Sequence, residues 1–128
     1  MAFLVKFENG SENGLKVPLK LFELADRKDC EWLYAKLVDT VYEFKIQVID
    51  GESGLIYGKE WKESVEVSGL KEGWVVLFDV RNAQYVLVSH FDKHGNCVNG
   101  SRMIADGIRL TRCVAQTSRM SFFKTGIM

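Results

Sequence analysis

Hydrophobic and polar residues alternate with a period of two along two neighbouring segments, 33–38 and 42–48. A period of two is the spacing of side chains on one face of a β-strand. The alternation is interrupted at Asp39-Thr40, so the pattern predicts two strands joined in a β-hairpin. In the second strand, Lys45 and Gln47 are predicted to face outwards because the aromatic and aliphatic positions between them face the core.

Short apolar runs predict further strands, with polar loops between them. The segments 8–14 and 50–54 are rich in Asn, Asp, Ser and Gly, which favour turns and loops. Arg81-Asn82 is predicted to be the turn between two nearly continuous apolar runs. The runs themselves predict strands at 3–7, 55–58, 74–80 and 84–91.

Two segments have a helical rather than a strand pattern. Pro18 suits the first turn of a helix, and Leu21, Leu24 and Ala25 follow it on one helical face. The second segment places Trp61 and Val65 four residues apart. We therefore expect short helices near 19–28 and 59–67.

These elements predict a mainly β fold with about seven strands, mostly antiparallel, that form an open barrel with two short helices. One core is expected to hold the large apolar side chains. Its predicted members are Phe3, Val17, Phe22, Phe44, Ile46, Trp61, Leu70, Val76, Phe78, Leu87 and Phe91.

Length and charge refine this picture. The chain has 128 residues, the size of one domain, and no apolar run close to the roughly 20 residues that span a bilayer. An odd number of cysteines without paired spacing favours reduced thiols in the cytosol or nucleus. The net charge is zero, but residues 1–99 are acidic overall and residues 100–128 are basic. We expect a domain at 1–98 and a basic C-terminal extension at 99–128, either a tail or an extra strand.

The stretch "SHFDKHGNC" brings together zinc-ligand residue types, namely His90, His94 and Cys97. A fourth ligand would have to be Asp92 or Cys113, and no CxxC pair is present, so we interpret the stretch as a strand end. Cys97 and His94 are also too close in sequence for the usual cysteine nucleophile and base. We therefore expect no metal, no cofactor and no enzymatic activity.

The order of several short motifs resembles the plant B3 DNA-binding domain, in particular its reproductive-meristem subgroup. The resemblance covers about residues 3–97. Its pieces are "FLVKF" (3–7), "LKVPLKLF" (15–22), Trp61, "LKEG" (70–73), "VVLF" (75–78) and "FDKHGNC" (91–97).

The resemblance implies a seven-stranded pseudobarrel that clasps the major groove of double-stranded DNA between the loops 8–14 and 50–54. It implies a nuclear regulator of plant transcription, with other transcription regulators as further partners and neither a membrane nor a small-molecule substrate. Such loops need side chains for phosphates and base edges. The candidate DNA-binding residues are Lys6, Asn9, Ser11, Asn13, Lys16, Lys20, Lys45, Gln47, Ser53 and Lys59.

Acidic residues in the same two loops favour an alternative. Glu8 and Glu12 lie in the first loop, and Asp50 and Glu52 in the second. Carboxylates weaken binding to a polyanion, so the alternative is a B3-like protein-interaction module with weak or lost DNA binding. The segment "SFFKTG" (121–126) resembles the opening strand of another such domain, although a plain tail is the preferred interpretation.

Overall fold

A computed structural model describes residues 1–81 and 86–99 and the backbone of residues 121–124. The chain folds into nine strands and two helices within these ranges. In chain order they are β1 (Ala2–Lys6), β2 (Leu15–Pro18), α1 (Leu19–Leu24), β3 (Trp32–Leu37), β4 (Thr40–Val48), β5 (Ser53–Tyr57), α2 (Lys59–Ser68), β6 (Val75–Val80), β7 (Val86–Phe91), β8 (Cys97–Asn99) and β9 (Ser121–Lys124).

Seven strands form a nearly closed barrel in the order β2-β5-β4-β3-β7-β6-β1, so the predicted mainly β open barrel with two short helices is confirmed. β3 pairs with β7 in parallel, as β1 does with β9, and the other pairings among the described strands are antiparallel. β8 pairs with β7, and β9 extends the sheet beyond β1. Residues 121–124 of the predicted C-terminal extension are therefore an extra strand.

The hairpin of β3 and β4 turns one residue earlier than predicted. Leu37 is paired with Thr40, so the turn residues are Val38 and Asp39 rather than Asp39 and Thr40. Val38 has a φ of 58° and is 46% exposed. A positive φ at the first of two turn residues is the feature of type II′ turns, where glycine is preferred. A β-branched residue is strained in this conformation.

Replacing Val38 with glycine is expected to raise the free energy of unfolding by about 1 kcal/mol. The relief of left-handed strain outweighs the backbone entropy that glycine adds to the unfolded chain. Denaturant unfolding of the two proteins measures the difference. The matched control is Val41→Gly, an exposed position in the adjacent strand, which should lower stability. Equal losses in both variants would contradict the strain assigned to Val38.

The barrel encloses one large apolar core. All predicted core residues are buried except Leu87, which is half-buried because its neighbours Val86 and Val88 take the inward positions of β7. Phe91 is buried as well, but in a second cluster and not in this core. The buried members of the predicted set are Phe3, Val17, Phe22, Phe44, Ile46, Trp61, Leu70, Val76, Phe78 and Phe91.

Both predicted helices are present, with changed ends. α1 is shorter than the predicted 19–28, since Asp26 has a positive φ of 55° that is incompatible with further helix. Leu21 and Ala25 are buried as predicted, but Leu24 is 39% exposed and lies at the edge of the apolar stripe. α2 ends at Ser68, and its C-cap Gly69 has a left-handed conformation in which the backbone N–H donates to carbonyl oxygens of the last turn.

The two halves of the barrel differ on their outer side. On β1, β6 and β7, about half of the positions that alternate with core residues are buried, and the apolar ones among them form a second cluster of Leu4, Val75, Leu77 and Phe91. On β2, β5, β4 and β3, the corresponding outer positions are half-buried or exposed, apart from the buried Ser53 at the start of β5. The outer side of the second half is therefore the more exposed of the two. No helix among the described residues is long and apolar enough to cross a membrane.

Candidate functional site

We call the outer side of β2, β5, β4 and β3 the open face. Strand pairing arranges two rows of side chains across it. In one row, Lys16 on β2 lies beside Leu55 on β5, and Leu55 lies beside Gln47 on β4. The open face therefore joins residues that are far apart in the sequence.

The second row crosses the neighbouring part of the open face. Lys45 on β4 has Trp32 of β3 on one side and Tyr57 of β5 on the other. Side chains that are opposite each other on adjacent strands have Cβ atoms about 5 Å apart. Of the residues predicted to bind DNA, Lys16, Lys45 and Gln47 thus come together on one surface.

The open face is positively charged although the whole chain is neutral. Its four strands carry three lysines, Lys16, Lys36 and Lys45, and one acid, Glu43, which is a net charge of +2. Each of these side chains lies at a position that alternates with core residues. Charge of this sign attracts an anionic ligand.

The loop 8–14 is held at one end of the open face by consecutive turns and by α2. The indole N–H of Trp61 donates a 2.8 Å hydrogen bond to the carbonyl oxygen of Ser11. The Ser11 hydroxyl accepts a 3.0 Å hydrogen bond from the backbone N–H of Glu8. Asn9 and Asn13 are exposed, as a ligand contact requires.

Ser11 was predicted to contact DNA, and its position in the loop corrects that prediction. Its side chain is only 4% exposed and is occupied within the turn. A short hydroxyl side chain can bond either to a nearby backbone N–H or to a ligand, and in this loop it bonds to the backbone. Ser11 thus shapes the loop and does not present its hydroxyl to a ligand.

The loop 50–54 is organised around the carboxylate of Asp50. This group accepts 2.8 Å hydrogen bonds from the backbone N–H groups of Glu52 and Ser53. The N–H of Glu52 is the largest cause that lowers the pKa of Asp50, followed by the N–H of Ser53 and the nearby charge of Lys16. Asp50 is therefore an ionised carboxylate engaged by its own loop.

Ser53 requires a second correction. It was predicted to contact DNA, but it is only 6% exposed, and its backbone N–H donates a 2.8 Å hydrogen bond to the Asp50 carboxylate. The loop is further tied to α1, because the carbonyl oxygen of Glu52 accepts a 2.9 Å hydrogen bond from the N–H of Leu19. Glu52 and Asp50 are the exposed acidic residues of this loop.

The two loops lie at opposite ends of the open face. β2 begins directly after the loop 8–14 and ends at Pro18, which is paired with Ser53 of the second loop. The four residues of β2 span about 13 Å at roughly 3.3 Å per residue. This length is similar to the width of the major groove of B-DNA, about 12 Å.

The remaining predicted residues lie at the margins or elsewhere. Lys20 and Lys59 are exposed in the first turns of α1 and α2. Lys6 lies on β1, which does not pair with β2 and belongs to the other end of the strand order. Lys6 is therefore not part of either row on the open face.

Gly58 positions Lys45. A Cβ atom added to Gly58 would lie 3.2 Å from Cγ and Cδ of Lys45, so the aliphatic stem of the lysine rests on the glycine backbone. Gly58 has a φ of 99°, which side chains other than hydrogen rarely permit. This packing orients Lys45 while leaving the residue exposed.

Trp32, Leu55 and Tyr57 belong to the open face but were absent from the predicted site. The strand pattern contained a signal for Trp32, since it lies two residues before Tyr34, another outward position of the same strand. Its adjacency to Lys45 and Tyr57 depends on the register between strands, which the pattern within one strand does not show.

In "SHFDKHGNC", the two histidines lie in different environments. His90 is 2% exposed, on the inward side of β7, and burial lowers its pKa to about 4. His94 is exposed in a turn where the Asp92 carboxylate accepts hydrogen bonds from the N–H groups of His94 and Asn96. Within the described residues, no group of three metal-ligating side chains is present. Asp92 is thus a turn-forming residue, and the stretch is a strand end followed by a turn and β8.

Comparisons of the chain with protein-family models, with curated proteins and with solved structures find no match. The resemblance to the plant B3 family stays a prediction based on the sequence motifs.

Proposed function

We propose that this chain binds double-stranded DNA with its open face and acts as a nuclear regulator of transcription in a plant. The observation that carries the proposal is the row formed by Lys16, Leu55 and Gln47, which crosses the strands between two anchored loops. The spacing of the loops suits a major groove, and the charge of the face suits phosphates.

Each group has a separate role in this proposal. Lys16 and Lys45 contact phosphates, because an ammonium group recognises charge without reading sequence. Gln47 and the exposed Asn9 and Asn13 reach base edges, since a carboxamide both donates and accepts hydrogen bonds.

The acidic residues of the loops oppose binding less than their number suggests. Asp50 has its carboxylate engaged by two backbone N–H groups and has Lys16 nearby. Glu8 has one carboxylate oxygen buried. Glu12 and Glu52 remain as the charges that a phosphate would meet, so moderate rather than tight nonspecific affinity is expected.

The proposal is tested by replacing Lys45 with glutamine, which removes the charge and keeps the stem that packs on Gly58. Binding to random duplex should weaken. The plot of log K against log salt concentration should also become shallower by about 0.9, which is the contribution of one phosphate contact to the slope. Fluorescence anisotropy with a labelled duplex at several salt concentrations measures both quantities.

The matched control is Lys71→Gln, an exposed lysine that lies outside the four strands of the open face. Its affinity and salt slope should equal those of the parent. If the two variants behave alike, or if the parent shows no salt-dependent binding to duplex, the open face is not a duplex-binding site.

A protein-interaction module is the second candidate, and exposed aliphatic residues favour it. Val48 is 41% exposed and Ile49 is 47% exposed, directly before the loop 50–54. Exposed apolar side chains beside a loop suit a protein partner better than a phosphate backbone. If the parent protein does not bind duplex in the same salt titration, the protein-interaction module becomes the preferred function.

A further inference from the structure

Trp32 is the most exposed tryptophan of the chain. It is 40% exposed on β3, whereas Trp61 is 1% exposed and Trp74 packs half-buried against the core. A large aromatic ring left in water forgoes the free energy of burial. Neither the barrel core nor the row of Lys16, Leu55 and Gln47 uses this ring.

Lys45 separates Trp32 from a second aromatic residue, Tyr57, in the same row. The outer two side chains are two strand spacings apart, about 10 Å. The row thus places a cation between two aromatic rings. This order matches a nucleic-acid strand, in which one phosphate links two successive nucleotides that each carry a base.

Tyr34, the next outward aromatic residue of β3, already contacts a cation of the chain. The guanidinium group of Arg27 lies 5.2 Å from the ring centroid of Tyr34, the geometry of a cation–π contact. Tyr34 is half-buried by comparison with Trp32. Among the described residues, neither ring of the row has such a contact; Trp32 is exposed and Tyr57 is half-buried.

We propose that Trp32, Lys45 and Tyr57 form a stacking site for unpaired bases of single-stranded DNA. Every base has a face that stacks on an aromatic ring, so such a site binds without sequence preference. The net charge of +2 on the open face complements the phosphates of the strand. In a duplex, both faces of an internal base are covered by its neighbours, which withholds them from Trp32.

This site extends the proposed function, on which it rests only in sharing Lys45 and the open face. The two are separable because duplex binding needs charge, while the stacking site needs the indole. A protein that binds duplex through Lys16 and Lys45 in this way gains affinity where strands are unpaired.

The experiment compares a fluorescein-labelled oligo(dT), which has no stable secondary structure, with a duplex of the same length at one salt concentration. Trp32→Ala is expected to weaken binding of oligo(dT) about tenfold, as for loss of one stacked base, and to change duplex affinity less than about twofold. Trp32→Phe keeps a ring and should retain most of the affinity. Oligo(dT) should also quench the tryptophan emission of the parent and not that of Trp32→Phe.

Val41→Ala is the control, since Val41 is an exposed apolar residue of β4 outside the row. Binding of oligo(dT) that is unchanged in Trp32→Ala, or weakened equally by Val41→Ala, overturns the stacking site, whereas a parent that binds oligo(dT) but not the duplex overturns the proposed function. A parent that does not bind oligo(dT) overturns the stacking site as well. Oligo(rU) bound tenfold more tightly than oligo(dT) would overturn the assignment to DNA.

Discussion

Trp61→Ala is expected to lower the free energy of unfolding by about 4 kcal/mol, the usual range for deletion of a large buried aromatic side chain. The side chain is 1% exposed, and its ring meets Phe44 edge-on at 5.3 Å between centroids and Phe7 at 6.4 Å. It connects α2 with the core and with the loop 8–14. Denaturant unfolding measures the loss.

Trp61→Phe separates packing from the hydrogen bond to the loop. Phenylalanine retains most of the ring but cannot donate to the Ser11 carbonyl oxygen, which now receives a 2.8 Å bond. The loss should be about 1–3 kcal/mol. Amide hydrogen exchange should also become faster in the loop 8–14, and faster exchange confined to other elements would contradict the anchoring role of Trp61. Trp74→Phe, at a half-buried position, is the control that should leave exchange in this loop unchanged.

Gly54→Ala is expected to lower the free energy of unfolding by about 3 kcal/mol, because overpacking at a buried site forces its neighbours to move. A Cβ atom at Gly54 would overlap Cε2 of Phe22 and lie 2.8 Å from its Cδ2. Phe22 is fully buried against the barrel and has no free space into which to retreat. The expected consequence is displacement of α1 from β5.

Gly51→Ala is the matched control in the same loop. Gly51 has no atom within 4 Å of an added Cβ and no positive φ. Its replacement should leave stability unchanged or raise it by a few tenths of a kcal/mol, since alanine restricts the unfolded chain. Equal effects of the two alanines, measured by thermal or denaturant unfolding, would contradict the contact between Gly54 and Phe22.

The hydrophobic pattern of the sequence was sufficient for the inward and outward sides of individual strands. Phe44 and Ile46 face the core, and Lys45 and Gln47 face outwards, as the period of two predicted. A period of two leaves each residue only two possible sides, so one buried face determines the other. Helix α2 was predictable for a similar reason, because Trp61 and Val65 lie one turn apart and are both buried.

Local turn chemistry was less informative. Val38 occupies a turn position that glycine prefers, so its residue type gave no signal for that place. Ser11 and Ser53 are residue types typical of exposed loops, but both are buried and take part in hydrogen bonds within their own loops. The number of hydroxyl groups in a loop does not reveal whether they bond inside it or outside it.

The sequence by itself determined most strands of the barrel, the two helices, most of the core and the outward direction of Lys45 and Gln47, whereas it did not predict the strand β2 that carries Lys16. Only the tertiary structure decided which of these residues are neighbours. Trp32, Lys45 and Tyr57 share a row because β3, β4 and β5 pair in one register. Register is set by long-range packing such as that of Phe22 on Gly54, and no periodicity within one strand encodes it.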